Sequence, residues 1–190
     1  MNAYELVTGV GQVYIAAVGS TFPALNAAPA SPWRLLGDTD GGVTFMSDDK
    51  VEKIRTDQRL GVVKKTRTEE EPKIKTKFVS HTLENLADFF GVTVTDTAPG
   101  AGTIGTREIQ LYRGSEVKEF ALLFRGFSPY GAFPAQYQLK RGSFDEIGDV
   151  TYDKKGAALI PVTFGGMEDL SASTDAERFG KLIAQDAAAL

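Results

Sequence analysis

The chain has 190 residues, with 21 Lys or Arg against 25 Asp or Glu, a formal net charge of −4, one histidine and no cysteine. Without cysteine there is no disulfide framework, thiolate nucleophile, iron–sulfur cluster or zinc ribbon; one histidine, His81, excludes a histidine-rich metal site within a subunit and leaves any Ser-His-Asp arrangement dependent on it. The length suits one domain with a real core, and 20 Gly with 8 Pro and 12 Phe point to many turns between short strands, not to a helical bundle.

Glu5 to Ala17 alternates apolar and polar residues and predicts a strand broken near Gly9 and Gly11. Residues 18–32, rich in Ala, Pro and Ser, read as a loop or extended arm, and Trp33 to Leu36 is a short apolar run. Gly37 to Gly42 is turn chemistry. Val43 to Met46 and Val51 to Arg55 are candidate strands. Thr56 to Glu71 is long, polar and aperiodic, the kind of loop that serves a function or stays disordered. In Pro72 to Val79, Lys73, Lys75 and Lys77 alternate with Ile74, Thr76 and Phe78, a strand with one wet face.

Thr82 is placed to cap a helix whose Leu83, Leu86, Ala87 and Phe90 share one apolar face, with Gly91 as its left-handed stop. Further strands are predicted at Val92–Thr95, Arg107–Arg113, Lys118–Phe127, Ala135–Arg141, Glu146–Tyr152 and Ala157–Phe164, with Pro161 marking the last as an edge strand or a bulge. Asp175 to Leu190 is Ala-rich and reads as a marginal helix. The sum is a mainly β (α+β) domain, an antiparallel β-sandwich or barrel of about eight strands with one flanking α-helix over Leu83–Phe90.

The whole-chain charge hides a local inversion. Residues 48–77 hold ten basic and seven acidic groups; the remaining 160 residues hold eleven basic and eighteen acidic ones. One reading of the basic segment is a solvated, mixed-charge hairpin. The other is an electrostatic contact with an acidic surface, such as another copy of the chain. Direct nucleic-acid binding fits less well, because the signs interleave and no aromatic residue between Lys50 and Lys77 could stack on bases.

Catalytic readings find little support. Gly9-Val10-Gly11 and Gly100-Ala101-Gly102 lack the helix and later glycine of a nucleotide fingerprint. Asp38, Asp40, Asp48 and Asp49 match no calcium loop. Glu69-Glu70-Glu71 reads as a solvated run, not a catalytic pair. His81 is expected to bond near the helix start, and Trp33 to anchor a core or interface. No enzyme, cofactor or metal site is expected. No window offers the ~18 uncharged apolar residues of a membrane span. Met1 to Val18 carries Glu5 and no Lys or Arg, so no secretory leader is expected.

Three stretches, in this order and separation, resemble the tail tube (major tail) proteins of long, non-contractile-tailed (siphovirus-type) bacteriophages. They are Leu36-Gly37-Asp38-Thr39-Asp40-Gly41-Gly42-Val43-Thr44-Phe45, then Asp57-Gln58-Arg59-Leu60-Gly61-Val62-Val63-Lys64-Lys65-Thr66-Arg67-Thr68-Glu69-Glu70, then His81-Thr82-Leu83-Glu84-Asn85-Leu86-Ala87-Asp88-Phe89-Phe90-Gly91. The resemblance implies a single tail-tube domain over residues 1–190, with an inter-ring loop at 54–71, a flexible insertion at 18–32 and a C-terminal arm at 166–190. It implies a structural virion protein, made in the host bacterial cytoplasm and not secreted, that assembles into stacked hexameric rings. The channel would hold a tape-measure protein and convey phage DNA without sequence-specific binding; tail terminator and tail-tip proteins would be further partners, and no membrane. Within the loop, the resemblance implies contacts by Arg55, Asp57, Gln58, Arg59, Lys64, Lys65, Arg67, Glu69 and Glu70. A contractile-tail or type VI secretion tube subunit shares the expected fold. From other classes, a monomeric ligand-binding or adhesion β-sandwich and a nucleic-acid-binding module stand as alternatives.

Overall fold

A computed structural model describes residues 5–152, 154 and 156–188. Residues 1–4 of the expected leader-free start and 189–190 of the expected C-terminal arm lie outside the described residues. The structure is mainly β, with antiparallel ladders and one α-helix. In chain order come β1 (Gln12–Ala16), β2 (Arg34–Leu35), β3 (Thr39–Ser47), β4 (Lys50–Ile54), β5 (Lys64–Glu69), β6 (Pro72–Phe78), α1 (Leu83–Phe90), β7 (Val94–Thr97), β8 (Thr106–Ile109), β9 (Phe120–Phe127), β10 (Pro134–Ile147), β11 (Ile160–Gly166) and β12 (Gly180–Ala184).

Eight strands form one sheet in the order β2-β1-β9-β10-β11-β6-β3, with β12 added on β10. Its organiser is β10. Ala135 to Leu139 pair with β9 on one side and β12 on the other, whereas Gly142 to Ile147 pair with β11. Residues from both halves meet in one core: Val13, Phe120 and Leu122 from the β1–β9 side, Ile74, Phe78, Ile160, Val162 and Phe164 from the β6–β11 side, and Phe144 from β10 itself. Of the predicted strands at 135–141 and 146–152, the first runs on through the expected break at 142–145 as β10, and the second contributes only Glu146 and Ile147, with 148–152 outside any strand. Within β10 the register against β9 shifts between Leu139 and Gly142. A Cβ at Gly142 would lie 2.3 Å from the Gly165 carbonyl oxygen and 2.4 Å from the Phe164 ring, so only glycine lets β10 come this close to β11 at the register shift.

Both faces of β1 and β9 are covered. Tyr14, Ala16, Ala121 and Leu123 point away from the main core and pack with Trp33, against which Phe22 lies at 4.8 Å between ring centroids. Residues 18–32 run over this face and are tied down through their carbonyls: Trp33 Nε1 donates to Thr21 O (2.9 Å), and Arg125 Nη1 to Ala27 O (2.6 Å). Trp33 is thus a core anchor on the outer face.

Helix α1 closes the main core. Thr82 accepts from the Asn85 amide (3.3 Å), and Gly91 ends the helix at φ 71°. The deepest face differs from the expected one. Phe89, 1% exposed, stacks on Phe78 (5.4 Å) and meets Phe144 edge-on (4.8 Å), while Phe90 sits at the margin under Arg113. The buried Asn85 shifts the face: its Nδ2 donates to Leu36 O (2.8 Å) and Ser80 O (3.2 Å), and its Oδ1 accepts from Arg34 (2.6 Å). A polar side chain satisfied by backbone is invisible to an apolar count. Asp88 adds ion pairs to Arg34 and Lys118 (2.9 Å to the latter).

Other expectations change. Gly37 to Gly42 is not a free turn, since β3 starts at Thr39 and absorbs Gly41 and Gly42 in a register shift between Asp40 and Val43. The predicted first strand is limited to β1, because Gly9 and Gly11 lie against the rings of Phe127 and Phe124 before the ladder begins. Strand β11 is interior, between β10 and β6. Pro161 is tolerated there because its carbonyl accepts from Gly148 (2.8 Å) just beyond the β10 ladder, which reaches only Val162 opposite Ile147. The Ala-rich tail forms a 3-10 turn at Asp175–Glu177 and then β12, not a helix. A short Ala-rich helix is marginal alone, and the first half of β10 offers it a ladder instead.

Because Gly142 sits at the fold-over, Gly142→Ala should destabilise the protein by about 1–3 kcal/mol. Urea unfolding followed by circular dichroism measures this; Gly61→Ala, in open space at the hairpin tip, serves as the neutral control.

Candidate functional site

The segment between β3 and β6 is not an unstructured loop. β4 and β5 pair as a separate two-stranded sheet, Val51 with Arg67 through Ile54 with Lys64. Because β3 and β6 are themselves partners, Thr39 to Phe78 make one long hairpin, kinked where Ser47–Lys50 face Glu69–Lys73. Every residue from 51 to 70 is exposed. Isolated two-stranded sheets are marginal in water, so this projection depends on its base or on a partner.

The base is a joint built from charge. The Asp48 amide donates to Glu71 O (2.8 Å) across the kink. Lys73, its side chain only 19% exposed, bridges Asp48 and Glu71 at 3.0 Å each. Arg67 bridges Asp49 (3.1 Å) and Glu70 (3.3 Å), Lys50 pairs with Glu69 (2.6 Å), and Ser47 Oγ donates to Asp49. The hydrogen bond to Lys73 and its charge hold the Asp48 carboxyl below its ordinary value of 3.8. Asp48 and then Glu71 raise Lys73 above its ordinary 10.5.

The nine residues expected at a contact divide between two environments. Arg55, Asp57, Gln58 and Arg59 lie in the tip, where Arg59 N bonds Thr56 O (3.1 Å), and Lys64 and Lys65 lie on the outer part of β5. Arg67, Glu69 and Glu70 are at the joint, engaged within the chain. Beyond the joint, Glu52, Lys53, Arg55, Asp57, Arg59, Lys64 and Lys65 form no ion pair within 4.0 Å among the described residues. Apolar groups accompany them: Ile54, Val63 and a wholly exposed Leu60. The joint residues Asp48, Asp49, Lys50 and Lys73, together with Lys53, are absent from the expected set. Their readable signal is the phase of β6, whose alternation runs back to Lys73 and leaves the preceding acids beside it.

A cavity of about 870 Å³ is lined by Gly11, Asp38, Thr39, Phe127 and Phe133 among others, and the one cation among its described lining residues, Arg125, is held by the carbonyls of Ala27 and Leu25 (2.6 and 3.3 Å). His81 bonds Ala158 O through Nε2 (2.7 Å) and does not turn to the helix start. Among the described residues no three His, Asp or Glu side chains group as a metal site, and no helix is long and apolar enough to cross a membrane.

The joint has a defined pH window. The depressed Asp48 contributes stability that is complete above its ordinary value and lost as pH falls through its folded value; the raised Lys73 contributes below its ordinary value and loses this only as pH rises beyond it. With no native cysteine to interfere, spin labels at Gln58→Cys and Ser173→Cys should give a narrow distance distribution at neutral pH that broadens as pH drops below 3.8. Lys73→Met should broaden it at neutral pH, and Lys77→Met, at a lysine with no ion pair among the described residues, should not.

A family model described as "Phage tail tube protein" matches residues 1–189. No curated protein matches the chain. With an antiparallel β body and a charged hairpin projecting from it, the chain belongs to the phage tail tube proteins, structural components of the virion tail that assemble with copies of themselves into a tube.

Proposed function

We propose that this protein is the major tail subunit of a long, non-contractile-tailed phage. It forms hexameric rings that stack around a channel, the channel holds a tape-measure protein during assembly, and DNA leaves through it at infection. Terminator and tip proteins close the two ends, and synthesis takes place in the host cytoplasm. The role is architectural and calls on no catalytic group, cofactor or metal. The observation that carries this reading is the hairpin: a fully exposed projection whose cations have no ion pair among the described residues, and which also bears apolar side chains, suits a subunit whose neighbour covers it. The overall charge of −4 supports passage of DNA, because strong phosphate attraction along a channel would retard transit.

Within this reading residues 54–71 form the contact between rings. Negative-stain microscopy of the concentrated full-length protein should show rings or tubes about a channel. A compact monomer under all conditions, including with its tape-measure partner, would refute the subunit role. Replacing residues 55–63 with Asn-Gly should leave a folded body, judged by circular dichroism, that no longer extends tubes. Tubes of normal length would show that the contact lies elsewhere.

A further inference from the structure

We infer that one face of the hairpin, carried by Lys53 and Lys65, docks on the adjacent carboxylates Asp145 and Glu146 of a second copy of this chain. The inference rests on the reading that the hairpin joins neighbouring rings, and it names the chemistry of both sides.

Lys53 and Lys65 are directly opposed in the β4–β5 ladder. Directly opposed residues share a face with Cβ atoms about 4.5–5.5 Å apart, and like charges at such a position destabilise the pair. The next pair along the same face, Val51 and Arg67, shows the contrast. Arg67 is neutralised by Asp49 and Glu70, whereas neither lysine has a carboxylate within 4.0 Å among the described residues. A repulsive pair on a hairpin with no core of its own is explained by an anionic partner that covers it.

The matching surface lies on the body. Strand β10 carries a bulge between Phe144 and Glu146. Consecutive strand residues ordinarily point to opposite faces, but the bulge puts Asp145 and Glu146 on the same one. Asp145 lies over Gly165, where a Cβ would come within 1.9 Å of its Oδ2, and Glu146 accepts from Thr163 Oγ1 (3.3 Å). Gly165 and Thr163 are two residues apart on β11 and so share a face. Both carboxylates are exposed and have no cation within 4.0 Å among the described residues. On the far side of β11, Lys75 stands opposite Thr163 and Lys73 is held by Asp48 and Glu71. The sheet face thus runs from acidic at β10 to basic at β6, which directs an incoming cationic hairpin to the β10 side. Two opposed ammonium groups meet two adjacent carboxylates.

The test uses full-length protein, with tube formation followed by sedimentation and negative-stain microscopy. Wild-type tubes are the precondition; if the wild type never assembles, the subunit reading fails before this one is reached. Lys53→Glu/Lys65→Glu should raise the protein concentration needed for tubes about tenfold or more while circular dichroism stays unchanged. Asp145→Lys/Glu146→Lys should do the same, and the milder Asp145→Asn/Glu146→Gln should weaken assembly if the lysine variant fails to fold. Combining both charge reversals in one chain should restore tubes, and wild-type assembly should weaken with added salt. Normal tubes from the hairpin reversal would overturn the inference, as would failure of the combined reversal to restore them when that protein is folded. Salt-dependent binding of duplex DNA that is lost in Lys53→Glu/Lys65→Glu, with assembly unaffected, would overturn it in favour of a nucleic-acid contact.

Discussion

The constraint on which this molecule rests is that one strand serves two half-sheets. β10 pairs with β9 and β12 over its first half and with β11 over its second, and residues of both ladders meet in one core. The aromatic core follows from that bend. Phe144, on the second half, is contacted edge-on by Phe89 (4.8 Å), Phe164 (5.2 Å) and Phe120 (5.9 Å), so helix, β9 and β11 converge on one residue of the shared strand. Edge-to-face aromatic contacts of this kind add to burial. Gly142 belongs to the same device, since any side chain there would collide with Gly165 O and the Phe164 ring on β11.

The hairpin extends the same sheet but obeys different physics. Up to Ser47 and from Pro72, its strands are held by the buried side chains of β6: Ile74, Thr76 and Phe78. Beyond the kink nothing is buried, and ion pairs replace packing. Exposed pairs are individually weak, but Lys73 and Arg67 each bridge two carboxylates, which is the arrangement in which such charges add up. The division of charge along the chain thereby acquires a geometry: the cations nearest the body are engaged in ion pairs at the base of the hairpin, and those farther out, Lys53, Arg55, Arg59, Lys64 and Lys65, have no ion pair among the described residues.

Much of this fold is legible in the residues alone. Alternation in β6, the Thr82 and Gly91 caps and the turn-rich, mainly β composition each carry a local signal that the fold does not override. What is not legible depends on distant partners. The Ala-rich tail becomes a strand because half of β10 lacks a neighbour. Asn85 enters the core because Leu36 O takes its donor there. Strand β10 runs on past Arg141 to Ile147, because a Gly after two cations looks the same in sequence whether the chain turns back or continues in the ladder. For the candidate contact, residue types and location are readable, but not which charges are paired at home; that needs the β4–β5 register, which puts Arg67 beside its acids and Lys53 opposite Lys65.

The order of pairings along the chain also bears on how the subunit reaches its folded state. The extended hairpin is local, with both arms between Thr39 and Phe78, whereas β1 pairs Gln12 with Arg125 and its ladder cannot close until β9 has been synthesised. Local contacts form faster than those that close long loops. On a ribosome the residues of the projecting arm therefore emerge while β6 still lacks β11 and the core phenylalanines of β9 to β11 are not yet made, so an arm that buries nothing of its own has no finished base to steady it. In a chain with this topology the exposed arm is made early and steadied late, when β11 joins β6 and the sheet behind it closes.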